Sequence, residues 1–207
     1  MLTKEDRYLN EFSIVVRSNR AIDILHKVLE KNEDLLKNYV SSMKPFGLRT
    51  YEEPDETGKL ILRWNKGKGP VEESRITVGH QYIDQWKVIS SRVFYEHAGQ
   101  PDKNGQYRVL SILEVLEPRE VCTETYVIVN AYESKTQAEN LYKYLKTKFT
   151  RFLILQACSS IMVTKSSYIF VPVQDFNVEW TDAELYEKYG LTDEEINFIE
   201  ATIKPME

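Results

Sequence analysis

Apolar residues recur at three- and four-residue steps between residues 134 and 160, which is the longest helical pattern in the chain. Leu145 and Phe149 lie on this apolar stripe, and the spacing predicts one long amphipathic helix over the whole stretch. Thr136 and Glu139 have the spacing of a capping box near its start. The rest of the chain is interpreted around this helix.

Strand patterns occupy the middle of the chain, and helix patterns occupy its ends. A helix is predicted over residues 21–39, and two acidic helices are predicted to begin at the caps Thr181 and Thr192. Strands are predicted at residues 12–17, 59–64, 71–78, 83–94, 107–116, 122–129 and 168–173. This order predicts an α+β fold: a mixed or antiparallel sheet body, one long amphipathic helix and a C-terminal helical pair.

Charge is distributed unevenly along the chain. The 207 residues carry a net charge of −5, but residues 177–207 alone hold nine acids and two bases. The tail therefore carries −7 and residues 1–176 carry +2. We interpret residues 1–176 as the body, with residues 177–207 as an acidic helical appendage. An acidic total does not exclude a nucleic-acid partner when positive charge gathers on one face.

Composition narrows the classes of protein that the chain can belong to. It is 42% hydrophobic and 29% charged, which is ordinary for a globular domain. No apolar run reaches the roughly 20 residues that a membrane span needs, and the start lacks an apolar signal region. With only Cys122 and Cys158, far apart, we expect reduced thiols, a cytoplasmic location and no membrane partner.

Basic residues gather on the predicted long helix. From residue 135 to residue 151 there are five bases and one acid, a local charge of +4. A solvated helix face explains such a pattern, and so does a surface that contacts phosphate. We expect the helix face at residues 146–151 and the bend at residues 44–49 to bind phosphates, and the segment 90–106 to read bases. The predicted DNA-binding residues are Lys44, Arg49, Lys87, Ser91, Arg92, His97, Gln100, Asn104, Lys143, Lys146, Lys148 and Arg151.

A metal-dependent nuclease site is a weaker alternative. Asp102 and Glu133 could hold Mg²⁺, and Lys135 could assist an attacking water. Widely spaced matches of this kind are common, so the favoured interpretation is a loop Asp followed by the start of a helix. No catalytic or metal-binding residues are predicted on this basis.

Several phrases occur in an order that resembles one protein family. They are residues 44–48 (KPFGL), 86–90 (WKVIS), 122–126 (CTETY), 144–153 (YLKTKFTRFL), 170–176 (FVPVQDF), 180–182 (WTD) and 185–186 (LY). Together they resemble the C-terminal target recognition region of adenine-specific DNA methyltransferases of restriction–modification systems. The most similar group is the type II enzymes that fuse nuclease, methylase and recognition regions.

The resemblance implies a recognition module that binds double-stranded DNA opposite a methylase domain or subunit. That methylase would bind S-adenosylmethionine and methylate a flipped adenine. The family's Asn-Pro-Pro-Tyr-like tetrapeptide and its Gly-containing cofactor loop are both missing from this sequence. We therefore expect no catalytic residue and no cofactor in this chain itself. A protein–protein docking module, using the acidic helices, is the alternative.

Overall fold

In the computed structural model, which describes residues 12, 14, 16, 18–94, 100–158 and 160–206, the strands form two small sheets. The first sheet contains β1 (Leu60–Trp64), β2 (Gly67–Val71) and β5 (Glu120–Cys122) in the order β2-β1-β5. Strand β1 is antiparallel to β2 and parallel to β5. The sheet is therefore mixed.

The second sheet is antiparallel throughout. It contains β3 (Trp86–Ser91), β4 (Leu113–Leu116) and β6 (Tyr126–Tyr132) in the order β4-β3-β6, and the pairing of β3 with β6 shifts register between Val88 and Ile89. Together with the helices, these sheets confirm the predicted α+β class.

The antiparallel sheet is the middle of three layers. Val127 and Val129 of β6 belong to the larger core, which the helices cover, whereas Tyr126 and Ile128 belong to a smaller core shared with the mixed sheet. Successive side chains of a strand point to opposite faces, so this alternation is what a sheet buried on both sides requires. The order of layers is helices, antiparallel sheet, mixed sheet.

The predicted long helix is in fact two helices, so that prediction was wrong. Helix α2 spans Lys135–Lys146 and α3 spans Lys148–Gln156, with Thr147 in an extended conformation between them. The Thr147 hydroxyl donates to the carbonyl of Tyr144 and accepts from the N–H of Thr150, so it serves both helix ends. The sequence offers Ser134 or Thr136 as the cap of this stretch, and the α2 N-cap is Ser134.

A distant carboxylate completes the start of α3. Asp182 Oδ2 accepts from the N–H of Lys148 and Oδ1 accepts from that of Phe149, at 3.0 and 2.8 Å. These N–H groups belong to the first turn of the helix and have no partner within it. The tail therefore stabilises the break between α2 and α3.

The predicted helix at residues 21–39 is also shorter than expected. Helix α1 spans only Arg20–Leu29. Shortly after its end, Asn32 adopts a left-handed conformation with φ of 51°. A single 3₁₀ turn, Leu36–Asn38, follows. Asn tolerates the left-handed region better than most residues, which explains where the chain turns.

Several strand predictions were too long or wrong. The hairpin turns at residues 65–66, so β2 begins at Gly67 and no strand continues to residue 78. The strands predicted at 83–94 and 107–116 are present but shorter, as β3 and β4. The strand predicted at 122–129 is in fact the end of β5, a turn and the start of β6. Residues 168–173 hold the end of a 3₁₀ helix and a single bridge to Leu35. The strand predicted at 12–17 falls largely outside the described residues.

The two acidic helices begin where the sequence predicts. Helix α4 (Asp182–Lys188) is capped by Thr181, and α5 (Asp193–Thr202) is capped by Thr192, each with a complete capping box. Their apolar side chains lie in the larger core with Phe149 and Phe152 of α3. The boundary of charge near residue 177 is therefore not a boundary between hydrophobic cores.

Candidate nucleic-acid interface

Three cations that the sequence predicts to bind DNA converge on one carboxylate. Lys44 Nζ and Arg49 Nη1 each lie 3.9 Å from Glu124 Oε2, and Arg92 Nη1 lies 3.8 Å from the same oxygen. We call these four residues the Glu124 cluster. Three cations around one carboxylate give the cluster a charge of +2.

Exposure is graded within the Glu124 cluster. The side chains of Lys44 and Arg49 are 35% and 51% exposed, whereas that of Glu124 is 15% exposed. The carboxylate therefore lies beneath its two most accessible cations. An approaching ligand meets positive charge first.

The bend at residues 44–49 is held by its apolar members. Phe46 and Leu48 are buried in the smaller core, which fixes the backbone between Lys44 and Arg49. The carbonyl of Leu48 accepts from the N–H of Glu124 at 2.9 Å. This bond joins the bend to the turn that precedes β6.

Arg92 comes from the end of β3, on the other side of Glu124. Its main-chain N–H donates to the carbonyl of Thr125, and its Nη1 donates to the carbonyl of Glu124 at 3.2 Å. Its buried Nε has no hydrogen-bond partner among the described residues. The guanidinium thus keeps unused donor capacity within the cluster.

Exposed apolar side chains lie beside the cluster in sequence. Tyr51 is 80% exposed, and its neighbour Thr50 donates its N–H to Glu124 Oε1 at 3.4 Å. Met43, next to Lys44, is 53% exposed. An accessible aromatic ring next to cations is typical of surfaces on which nucleic-acid bases stack.

The predicted basic face of the long helix is covered by the acidic tail. Lys143 is ion-paired with Glu179, and Lys148 Nζ lies 2.5 Å from Glu200 Oε2. These two lysines neutralise tail carboxylates, so they are not a free phosphate-binding face in this fold.

Arg151 is buried, which corrects its predicted role on an exposed helix face. Its guanidinium donates to three main-chain carbonyls, and burial lowers its pKa to about 10. Lys146 is half-buried, with its Nζ 5.5 Å from the centre of the Tyr142 ring. The four predicted cations of α2 and α3 therefore form no common exposed surface.

Lys87 is also buried, so this fold does not present it to a phosphate backbone as predicted. Its ammonium donates to the carbonyls of Tyr82, Ile83, Gln85 and Glu117. Burial lowers the pKa of Lys87 to about 8. The ammonium group therefore links β3 to the segment that precedes it and to the turn that follows β4.

The predicted base-reading segment is divided by the structure. Ser91 is buried, and its hydroxyl donates to the carbonyl of Val93, so it does not face a ligand. Gln100 and Asn104 are exposed, and His97 lies outside the described residues. Asp102 organises the loop by accepting from the N–H groups of residues 104 and 106.

Two of the three residues of the alternative nuclease site have other partners. Asp102 Oδ2 lies 3.2 Å from Lys204 Nζ, and Lys135 Nζ lies 3.6 Å from Glu139 Oε1. Within the part of the chain that the structure describes, no group of three or more His, Cys, Asp or Glu side chains could hold a metal ion.

No family model, no curated protein and no solved structure matches this chain. The resemblance to target recognition regions therefore stays a prediction that rests on the sequence phrases alone. Over the described residues, the helices are too short or too polar to cross a bilayer.

Sequence reasoning identified three members of the Glu124 cluster but missed its centre. Glu124 carries the wrong charge for a phosphate ligand, so a search for cations passes over it. Its partners come from residues 44–49 and from residue 92, and no local sequence signal brings those segments together.

Proposed function

We propose that this chain binds double-stranded DNA as a target recognition module of a restriction–modification system. The observation that supports it best is the Glu124 cluster, where cations from two separate segments surround one less exposed carboxylate. Clustered cations attract the phosphate backbone and release its counterions. The catalytic partner would be a methylase domain or subunit, which would bind S-adenosylmethionine.

The geometry of the cluster would allow its cations to leave the Glu124 carboxylate and bind a phosphate instead. The side-chain ion pairs of Lys44, Arg49 and Arg92 with Glu124 are 3.8–3.9 Å long, beyond ordinary hydrogen-bond length. Moving the accessible cations toward a phosphate therefore breaks no strong bond with the carboxylate. Gln100 and Asn104 remain candidates for base contacts because both are exposed.

The docking alternative receives less support. In that alternative the acidic helices dock another subunit, and apolar side chains on them would strengthen such a contact. Leu185, Tyr186 and Ile199 are instead buried in the chain's own core. What these helices leave outside is mainly acidic, so we propose no docking function for them.

Replacing Glu124 by glutamine tests the role of the cluster without deleting a cation. We expect Glu124→Gln to bind a random-sequence duplex about two- to fivefold more tightly at low salt, because one charge about 4 Å from the cations is worth about 1 kcal/mol in water. The amide keeps the size of the side chain and an oxygen that accepts from the N–H of Thr50. Fluorescence anisotropy of a labelled duplex measures the change.

Glu114→Gln is the matched control. Glu114 bridges Arg63 and Lys68 elsewhere in the fold, and its replacement changes the net charge by the same amount. We expect it to leave DNA affinity unchanged. If Glu124→Gln weakened binding, or both variants tightened it equally, the cluster would not be the DNA-binding surface.

A further inference from the structure

A cavity of about 260 Å³ lies between the segment that precedes β4 and the C-terminal segment. It contains none of the Glu124 cluster. Its lining residues are Arg108, Val109, Leu110, Ser111, Arg151, Lys204, Pro205 and Met206. Three of these are cations, and no described lining residue is acidic.

Arg151 is the buried member of this lining, at 3% exposure. Its Nε donates to the carbonyls of Lys146 and Thr147 at 3.1 and 3.2 Å, and its Nη1 donates to that of Lys204. These bonds hold the plane of the guanidinium in place between α2, α3 and the C-terminal segment. The group is therefore rigidly oriented.

Main-chain carbonyls, and no carboxylate, accept the hydrogen bonds of Arg151, while Asp182 and Glu200 attract its charge from a longer distance. Within the described residues no carboxylate lies within ion-pair distance of its guanidinium, and its Nη2 donates no hydrogen bond. Burial lowers its pKa to about 10, because the attraction of Asp182 and Glu200 offsets only part of the cost of keeping this cation from water. A buried charge without a counter-ion in direct contact is unfavourable unless an anion or strong polar groups complete its shell.

The other two cations extend the same site toward solvent. Arg108 is exposed and already takes part in an interaction of its own, and Lys204 is half-buried with its Nζ 3.2 Å from Asp102 Oδ2. Asp102 also accepts two main-chain N–H groups, so its charge is shared among several donors. Lys204 can therefore serve an anion in the cavity while it still holds the loop.

We infer that this cavity binds a phosphate group, with Arg151 as its fixed donor and Lys204 and Arg108 as its outer ligands. The guanidinium fork matches the oxygen geometry of phosphate better than an ammonium does. The volume exceeds what one water-sized group fills, and Val109, Leu110, Pro205 and Met206 add apolar walls. These features suit phosphate that is free or is part of a larger ester.

The position of the cavity relates it to the Glu124 cluster without making it depend on DNA binding. The hydroxyl of Ser111 donates to the carbonyl of Val93, one residue after Arg92. Ile112 accepts from the N–H of Ser91, and Thr125 accepts from that of Arg92. Both sites therefore border the same end of β3, one on the β4 side and one on the β6 side.

The first test is thermal unfolding of the full chain during titration with sodium phosphate, against sodium chloride at matched ionic strength. A ligand that binds the folded state raises the midpoint with a saturable dependence on its concentration. We expect such a rise for the wild type. A midpoint that follows ionic strength alone would overturn the inference.

Variants of the cavity residues test whether phosphate binds in this cavity. We expect Lys204→Gln and Arg108→Gln each to weaken the dissociation constant for phosphate about fivefold or more. Both side chains are accessible, so these variants are expected to fold where Arg151→Gln could fail. The control is Lys37→Gln/Lys165→Gln, which alters a different basic depression. Equal losses in the control and in the cavity variants would contradict the assignment.

Duplex DNA identifies the source of the phosphate. If the cavity takes phosphates of a DNA strand, inorganic phosphate competes with the duplex at constant ionic strength, and Lys204→Gln weakens both ligands. If it takes free phosphate, Lys204→Gln weakens phosphate alone and DNA binding is unchanged. Either result is separate from the Glu124→Gln experiment, so failure of one proposal does not conceal failure of the other.

Discussion

Replacing Lys87 by methionine lowers the free energy of unfolding by about 3–5 kcal/mol, the range for breaking a buried charged network. The Lys87 side chain is fully buried, and its ammonium lies 2.7–3.1 Å from four main-chain carbonyl oxygens. Methionine fills a similar volume but donates nothing. The carbonyls of Tyr82, Ile83 and Glu117 also accept main-chain N–H groups, so only that of Gln85 loses its one partner among the described residues. The expected loss therefore comes mainly from the charged hydrogen bonds, about 1.5–3 kcal/mol each, and it is partly offset because no charge is buried any longer.

The protonation state supports this account of Lys87. Burial lowers its pKa to about 8, so most molecules carry the ammonium form at pH 7. Urea denaturation of the wild type and of Lys87→Met measures the difference, with Lys59→Met as the control at an exposed lysine. We expect the control to change stability by less than about 0.5 kcal/mol. A loss below about 1 kcal/mol for Lys87→Met would mean that its hydrogen bonds are not structural.

Replacing Gly79 by alanine is expected to cost about 3 kcal/mol or more, from strained backbone and steric overlap together. Gly79 has φ of +74°, and a Cβ there would lie 2.0 Å from the carbonyl oxygen of Pro45. Because that atom belongs to the backbone, relief requires the chain itself to move. Pro45 lies in the bend that carries Lys44 and Arg49, so the same change also disturbs the Glu124 cluster.

The variant Gly105→Ala separates the cost of backbone strain from the cost of steric overlap with Pro45. Gly105 has a similar φ of +80°, but a Cβ there would meet nothing within 4 Å. We expect it to lose only about 1 kcal/mol, the cost of a left-handed alanine. Thermal or urea unfolding of the two variants gives the comparison. Equal losses would show that the contact with Pro45 contributes nothing.

The parts of the fold that the sequence predicted best depend on local interactions. Thr181 with Glu184 and Thr192 with Glu195 are complete capping boxes, and both helices begin where these boxes place them. The alternation along β6 was also informative, because each face of that strand meets a different core. Such features need only a few neighbouring residues.

The single long helix was predicted because the apolar period continues across a break in the backbone. Leu145 and Phe149 keep the four-residue step even though Thr147 between them is extended. The break is stabilised by Asp182, more than thirty residues further along the chain. A window of sequence does not contain that carboxylate, so periodicity alone joined α2 to α3.

Contacts between distant segments also explain why the predicted basic face of α2 and α3 is not exposed. The positive charge of α2 and α3 and the negative charge of the tail were both visible in the sequence, but their contact was not. Lys143 and Lys148 pair with Glu179 and Glu200, and Arg151 enters the core. Of the predicted DNA-binding cations, Lys44, Arg49 and Arg92 do lie together. Their two segments carry less positive charge than the stretch from 135 to 151, so the sequence draws less attention to them.

The most direct test of DNA binding by the Glu124 cluster is the salt dependence of duplex affinity. The variant Lys44→Gln/Arg49→Gln/Arg92→Gln is compared with the wild type and with Lys31→Gln/Lys59→Gln/Lys165→Gln, which removes the same charge from exposed lysines elsewhere. Each lost phosphate contact changes the slope of log K against log salt by about 0.9, so we predict a slope shallower by about 2–3 for the cluster variant. The control should keep the wild-type slope. If the cluster variant keeps it as well, or if the wild type binds no duplex at low salt, the proposed DNA-binding function is wrong.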